Sequence, residues 1–557
     1  MIIFEILKYI SITLLLIKTY YYTLNIYQQE HYDNKKLLKH LIVYYQKPYI
    51  ILSYFIIIST TIKYWYIQLI IILFSIISLY FKDNFVIKLK ITKRIIRLLL
   101  TNILLLTIIT TISFIYIKHI TLFIYSLYIL LVPYFIIITN TLNKPIEKII
   151  NKYYIKLAEK KLNQNKILIK IAITGSYGKT TTKNIINNIL SEHFYTLATP
   201  KSYNTMQGIT KTINQYLNNN TEIFICEMGA FREKEIKEMT KFIKPHIVVI
   251  TDIGEQHLET FKTINNIIKA KFEIINYSTA IPILNFDNQY IKNEPIQKDK
   301  IYTIGINNTN TSIYASDIIV KNINNYITTT FNINNLDNKI PIDTMLLGHH
   351  NIYNILISYG VIQALEQYNI HISDEQFSEA IYNTQPIPHR LSLNKEHNIY
   401  IFDDSYNSNI KGFTNAINTI NQMNTYKIII TPGLVDLKNK QKEYNETIAN
   451  KLNIFDEIYL INNQSSKYIY NQLLKTNQTS IIHLFDSFKE AYQNILSKHL
   501  NQNYEVSILI ENDLPDNFLE RNKNVKWKIK NRHNFWRKKR RTWYIYSYST
   551  TSLSFYW

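Results

Sequence analysis

The chain has 557 residues, with 62 Lys and Arg against 41 Asp and Glu, a formal net charge of +21 and one cysteine. A lone cysteine excludes any intrachain disulfide and fits a reducing compartment. The basic excess comes with no recognisable nucleic-acid motif, which argues against a nucleic-acid partner and for cationic flanks beside a membrane.

In chain order, apolar runs come first, at about 2–22, 49–62, 66–81, 98–117 and 121–139. Each nears the ~20 residues a helix needs to cross a bilayer, and the second and third are short enough to form one hairpin. No small-residue cleavage site follows the first run, so a removable signal peptide is not expected. The pattern predicts transmembrane α-helices over residues 1–141, about five spans. Their number and near absence of acids disfavour buried helices of a soluble core. Lys35, Lys36, Lys39 and Lys47 occupy one basic gap, and Lys82, Lys88, Lys90, Lys93, Arg94 and Arg97 another. Placing both inside predicts a multi-pass protein of the cell membrane, in contact with its lipid, with everything after Leu142 in the cytoplasm. Residues 142–166 read either as a basic amphipathic helix along the membrane surface or as a solvated connector.

All 10 glycines lie at or beyond Gly175. From Lys166 onward short β-branched runs alternate with helical stretches, the pattern of an α/β domain with a parallel sheet. "ILIKIAIT" is a buried strand, "GSYG" a turn, and a helix opens near Thr180. Such a strand, turn and helix N-terminus make a phosphate cradle, because free backbone N–H groups and the helix dipole face the anion. Lys179 would reach the β/γ-phosphates and the Thr180 hydroxyl would hold Mg²⁺. The general P-loop pattern wants a glycine where Ile173 stands, so the loop is a shorter variant. Later strands deliver Glu227, His257, Asn285 and Asp287 at their carboxyl ends, where open α/β sheets bind ligands. Residues 301–342 alternate apolar and polar, as in antiparallel hairpins closing a central domain at 167–385. A second α/β domain is expected at 386–530, with strands near Ile399, Ile428, Ile458, Ile481 and Val506. Residues 531–557 are basic and aromatic without periodicity, either a disordered tail or a surface contact.

The stretches "TGSYGKTTT", "TPKSYNTMQG", "EMGA", "IGEQHLETF", "AKFEI", "GHHNIYN", "DDSYNSN", "TPGLVDL" and "ENDLPDNF" follow in this order from Thr174 to Phe518. They resemble the Mur ligase family, which builds peptidoglycan stem peptides, and most of all the type that adds D-alanyl-D-alanine. The resemblance implies a P-loop central domain with a mostly parallel sheet and a Rossmann-like C-terminal domain. It also implies ATP-driven amide synthesis: a carboxylate of a cell-wall precursor is phosphorylated, and an amino acid or dipeptide attacks the acyl phosphate. Gly175, Ser176, Tyr177, Gly178, Lys179, Thr180 and Thr181 would wrap the phosphates. Asn354 would touch adenine, and Arg390 and Asp404 would grip phosphates and ribose. Thr180, Glu227, His257 and Lys271 would hold magnesium, Lys271 after carbamylation, and Lys179, Lys271 and His257 would serve the chemistry. Asn204 and Thr205 would lie near the substrate carboxylate, with Tyr406, Asn407 and Asn409 completing the C-terminal loop. His350, Asn351 and Asp403 read equally well as scaffold.

Ile410 departs from the family's proline, and membrane helices stand where a uridine-nucleotide-binding domain is usual. The acceptor is therefore either soluble and nucleotide-linked or lipid-linked. A ligase for another wall polymer such as pseudomurein, and an inactive membrane scaffold that keeps the nucleotide fold, are the alternatives. Nothing in the sequence indicates an oligomeric state.

Overall fold

The computed structural model describes residues 2–47, 50–51, 73, 77, 88–116 and 121–512, apart from 202, 257, 324–325, 336–337, 407–408, 436, 438–439 and 477–479. Most of the second and third apolar runs, His257, Asn407 and the 531–557 tail lie outside the described residues. The described residues fall into two compact units, one within 1–150 and one within 151–512.

In the first unit the first apolar run is helical over Ile2–Gln29. The helices Lys93–Tyr116 and Leu127–Gln164 are, among the described residues, the two long and apolar enough to cross a membrane. Leu15, Leu98, Ile129, Val132 and Ile136 form an apolar core. Through it runs a polar seam: Asn102 Nδ2 donates to Thr139 Oγ1 at 2.7 Å, and Tyr20 OH donates to Asn102 Oδ1 at 3.1 Å. Arg97 forks onto the Glu147 carboxylate at 2.8 and 2.9 Å. Apolar surroundings demand such internal partners, which join the helices.

The last helix of this region runs unbroken over Thr121–Gln164, about 66 Å at 1.5 Å per residue. No interruption marks the expected boundary at 141. Composition changes there from apolar to lysine-rich, but isoleucine, leucine, lysine and glutamate all sustain a helix. Its last turns belong to the second unit and are packed rather than solvated. Ala158 and Leu162 join the core beneath the central sheet, and Lys161 Nζ donates to the Asn214 carbonyl at 2.7 Å.

The central domain is built on β1 (Ile169–Thr174), β2 (Thr196–Ala198), β3 (Ile223–Glu227), β4 (Ile247–Ile250), β5 (Ile281–Asn285), β6 (Tyr302–Gly305), β7 (Ile313–Ile323), β8 (Tyr326–Asn335) and β9 (Asn338–Thr344). They form one nine-stranded sheet ordered β2-β3-β1-β4-β5-β6-β7-β8-β9. It is parallel as far as β7 and antiparallel across β7, β8 and β9, so the expected hairpins extend the sheet. Side chains alternate between faces along a strand. Ile171, Ile173, Ile225 and Val249 accordingly join one core, and Ala172, Phe224, Cys226, Val248 and Ile250 the other. Continuous apolar runs are what a strand covered on both faces requires. Cys226, free and buried in β3, is part of this layer.

The C-terminal domain carries β10 (Ser392–Glu396), β11 (Ile399–Asp404), β12 (Tyr426–Thr431), β13 (Glu457–Ile461), β14 (Ile481–Phe485) and β15 (Val506–Glu511) in the order β10-β11-β15-β12-β13-β14. Only β10 is antiparallel to its neighbour. Five of the six fall where the apolar runs predict them.

Candidate active site

β1 lies between β3 and β4, and the carboxyl ends of all three carry the site, as expected for an open α/β sheet. The turn after β1 needs its glycines. Gly175 has φ +150° and Gly178 φ +79°, values that side chains with a Cβ avoid. A Cβ on Gly175 would come 2.0 Å from Thr251 Oγ1, and one on Gly178 2.8 Å from Asn354 Oδ1. Gly178 caps the helix Lys179–Ser191, whose first N–H groups have no partner within the helix. The residues after β4 brace the turn. Ser176 N–H donates to the Asp252 carbonyl at 2.7 Å, Ser176 Oγ to the Gly254 carbonyl at 3.0 Å, and Thr251 Oγ1 to the Tyr177 carbonyl.

Lys179 folds back over this loop, its Nζ donating to the Gly175 and Ser176 carbonyls at 2.8 and 3.2 Å. Burial holds its pKa below the usual lysine range against the pull of Glu227, and the Arg390 charge lowers it further. Glu227, 1% exposed, ends β3. Its Oε2 accepts from Thr180 Oγ1 at 2.9 Å and its Oε1 from Asn204 Nδ2 at 3.2 Å. Lys271 is also buried, on the helix Ile264–Asn276. Burial, with Lys179 adding, pushes its pKa down to about 7 against Glu227 and Glu235. Burial lowers the pKa of Lys183 and His350, and the charge of Arg390, from the C-terminal domain, adds to it. Arg390 therefore lies within electrostatic range of the phosphate loop.

Other candidates have structural duties. Thr205 Oγ1 accepts from Gly208 N–H at 3.3 Å and caps the helix Met206–Tyr216. Asn354 is buried; its Oδ1 accepts from Thr182 Oγ1 at 3.0 Å and its Nδ2 donates to Asn351 Oδ1 at 3.1 Å, committing it to the packing behind Gly178. Asp287 accepts the N–H groups of Ile306, Asn307 and Asn308 at 2.7 to 2.9 Å, and Tyr353 OH at 2.7 Å. Although burial opposes them, these donors keep its carboxyl below the ordinary range. Thr181 is buried on the first turn of its helix, and Tyr177 presses its ring on Gly254.

In the C-terminal domain Asp404 Oδ1 accepts Leu391 N–H at 3.1 Å, and burial raises its pKa to about 7. Asp403 accepts Ser405 Oγ at 2.7 Å and lies 2.8 Å from His389 Nδ1. Tyr406 is exposed, with the Arg390 guanidinium 4.7 Å above its ring.

One residue that the sequence did not single out belongs here. Lys183, 1% exposed, places Nζ 3.5 Å from Glu227 Oε2 and 2.5 Å from the Lys201 carbonyl. It sits three residues after Thr180 on one helix, hence on the same face, and that spacing was the available signal.

Thr180 Oγ1 and both Glu227 oxygens are hard oxygen donors of the kind Mg²⁺ takes, and so few protein ligands suit an ion that keeps waters and substrate phosphates. Among the described residues no group of three His, Cys, Asp or Glu side chains offers a fuller cage.

Comparison with known proteins matches residues 173–362 to the Mur ligase middle domain and 389–509 to the Mur ligase glutamate ligase domain. UDP-N-acetylmuramoyl-tripeptide–D-alanyl-D-alanine ligases of Buchnera aphidicola are similar, one at 29% identity over 53% of this chain and 65% of its own length. A second, from another strain, is 30% identical over 61% of this chain and 72% of its own. The Escherichia coli enzyme of that name is 26% identical over 48% and 58%. The chain thus spans roughly 58–72% of these relatives. Crystal structures of MurF from Acinetobacter baumannii and of the MurF ligase from Thermotoga maritima with ADP share the fold. Their TM-scores are 0.58 and 0.56 at 21% and 22% identity, over 68% and 65% of this chain and 80% of each of theirs.

Proposed function

The chain belongs to the Mur ligase family, and from that premise we propose that it joins D-alanyl-D-alanine to the tripeptide of UDP-N-acetylmuramoyl-tripeptide, driven by ATP. The observation that supports the reading is the strand-end cluster in which Lys179 folds over the glycine turn while Thr180, Asn204 and Lys183 converge on the buried Glu227 carboxylate.

The peptide carboxylate is a poor electrophile, so one of its oxygens first takes the γ-phosphoryl group and ADP departs. The dipeptide amine then displaces phosphate from the acyl carbon. Lys179 exchanges its loop carbonyls for phosphate oxygens, and the glycine turn lets the backbone approach them. Thr180 and Glu227 would hold Mg²⁺, which neutralises phosphate charge when bound. Arg390 delivers a further cation when the two domains close, the electrostatic help that a loose phosphoryl transfer needs. As a carbamate, Lys271 would exchange its positive charge for a carboxylate beside Glu227. Asn204 steadies Glu227, and Asp404 and Tyr406 lie near Arg390.

The five apolar runs of the sequence, two of them in the helices Lys93–Tyr116 and Leu127–Gln164, are the ground for reading it as a membrane-anchored form of this enzyme with about five spans, lipid as neighbour and the catalytic domains in the cytoplasm. The full chain in detergent, given ATP, Mg²⁺, UDP-N-acetylmuramoyl-tripeptide and D-alanyl-D-alanine, should release phosphate and form the pentapeptide by mass, and Lys179→Met should abolish both. Product formation by that variant, or no nucleotide binding by the unaltered chain, refutes the reading. A lipid-linked acceptor assayed in parallel identifies the preferred substrate.

A further inference from the structure

Glu227 is a buried acid with a buried lysine already beside it. Thr180 Oγ1 and Lys183 Nζ address the same oxygen, Oε2, at 2.9 and 3.5 Å. Both side chains of the ion pair are 1% exposed, and the Lys201 carbonyl holds the ammonium from the other side at 2.5 Å. Lys183 cannot swing into water without leaving the core, so its charge is a fixed part of the metal position rather than a mobile counter-ion.

A fixed cation beside the chief carboxylate opposes a divalent ion arriving alone. A nucleotide triphosphate on the loop changes that balance, because its oxygens add several negative charges and further ligands next to Thr180. We propose that Lys183 is a positioning residue that makes metal loading at Glu227 conditional on bound nucleotide, so that the divalent ion enters with the triphosphate and not before it. The inference rests on the assignment of the loop to nucleotide and of Glu227 to metal. A structural alternative exists, since a buried ion pair can serve fold specificity alone, and the experiment separates the two.

Mn²⁺ binding to the full chain in detergent is measured by electron paramagnetic resonance at pH 8, with and without a non-hydrolysable ATP analogue. The unaltered chain should bind Mn²⁺ weakly alone and far more tightly with the analogue. Lys183→Met should tighten nucleotide-free Mn²⁺ binding about tenfold, the low end for a unit charge removed from within ~5 Å of a divalent ion in a water-like dielectric. Lys183→Arg, which keeps the charge, should behave like the unaltered chain. In a Glu227→Gln background the gain from Lys183→Met should vanish, a coupling that a purely structural lysine would not produce. Nucleotide-free affinity that stays the same or weakens in Lys183→Met overturns the proposal. If Lys183→Met does not fold, Lys183→Gln is read by the same criteria. Absence of analogue binding to the unaltered chain would instead overturn the nucleotide assignment itself.

Discussion

Lys271 is a side chain whose chemistry burial alters strongly. With its pKa pushed down to about 7 by burial and by Lys179, roughly ten neutral amines stand for each ammonium at pH 8, where an ordinary lysine near 10.4 has about one in 250. The neutral amine is the form that adds to CO2, so the reactive fraction rises by roughly two orders of magnitude. With ¹³C-bicarbonate, the unaltered chain should show a carbamate resonance that grows as pH rises through 7 and is missing from Lys271→Met. CO2-depleted buffer should cut ligation at least about tenfold, and bicarbonate should restore it. The unmodified chain has its own signature. Between pH ~7 and ~10.4 the unfolded chain holds a proton that the folded chain has lost, so stability rises with pH across that window and is lowest below it. An adduct that persists in Lys271→Met, or ligation indifferent to CO2, would refute the argument.

Gly175→Ala places a Cβ 2.0 Å from Thr251 Oγ1 at φ +150°; ADP affinity by calorimetry should fall more than about tenfold, while circular dichroism keeps the α/β signature. Asp404 keeps its proton in the folded chain up to about pH 7 because it is buried. Its contribution to stability is therefore full below the unfolded pKa near 4 and lost as pH rises to 7. Asp404→Asn should flatten that decline in urea midpoints at pH 5 and 8. Glu255 accepts Lys440 Nζ and Tyr444 OH from the C-terminal domain, each at 2.5 Å. The ion pair is partly exposed, so Glu255→Gln should shift stability by no more than about 1 kcal/mol while raising the KM for ATP several-fold. A large melting shift at unchanged KM would count against the contact as a domain latch.

Much of this was open to reading in the chain itself. Short β-branched runs such as the isoleucines of 428–430, and the Ile-Lys-Ile-Ala-Ile of 169–173, read as strands of a covered sheet, and strands lie there. In a chain with 10 glycines, two flanking "SY" before a lysine mark a turn that requires them. Lys183 escaped notice because lysine is common here and a helical lysine usually faces water; here tertiary packing of its helix buries it. Asp287 resembled a ligand-binding acid at a strand end, but its N–H donors come from residues 306–308, a closure that linear spacing does not reveal. Asn354 carries a family motif, and its amide reaches Thr182 and Asn351, partners that linear spacing does not announce. The helix through residue 141 continues because a change of solvent preference is not a change of backbone preference.

The solitary sulfur of Cys226 has a practical consequence. Sealed in the middle of β3, with burial raising its pKa well above the usual thiol value, it offers alkylating reagents almost no thiolate. The native chain is in effect silent to maleimides. A cysteine introduced on the rim of each α/β domain becomes an addressable point for a fluorophore or spin label, and the proposed closure on nucleotide can be tested as a distance without first removing the natural residue.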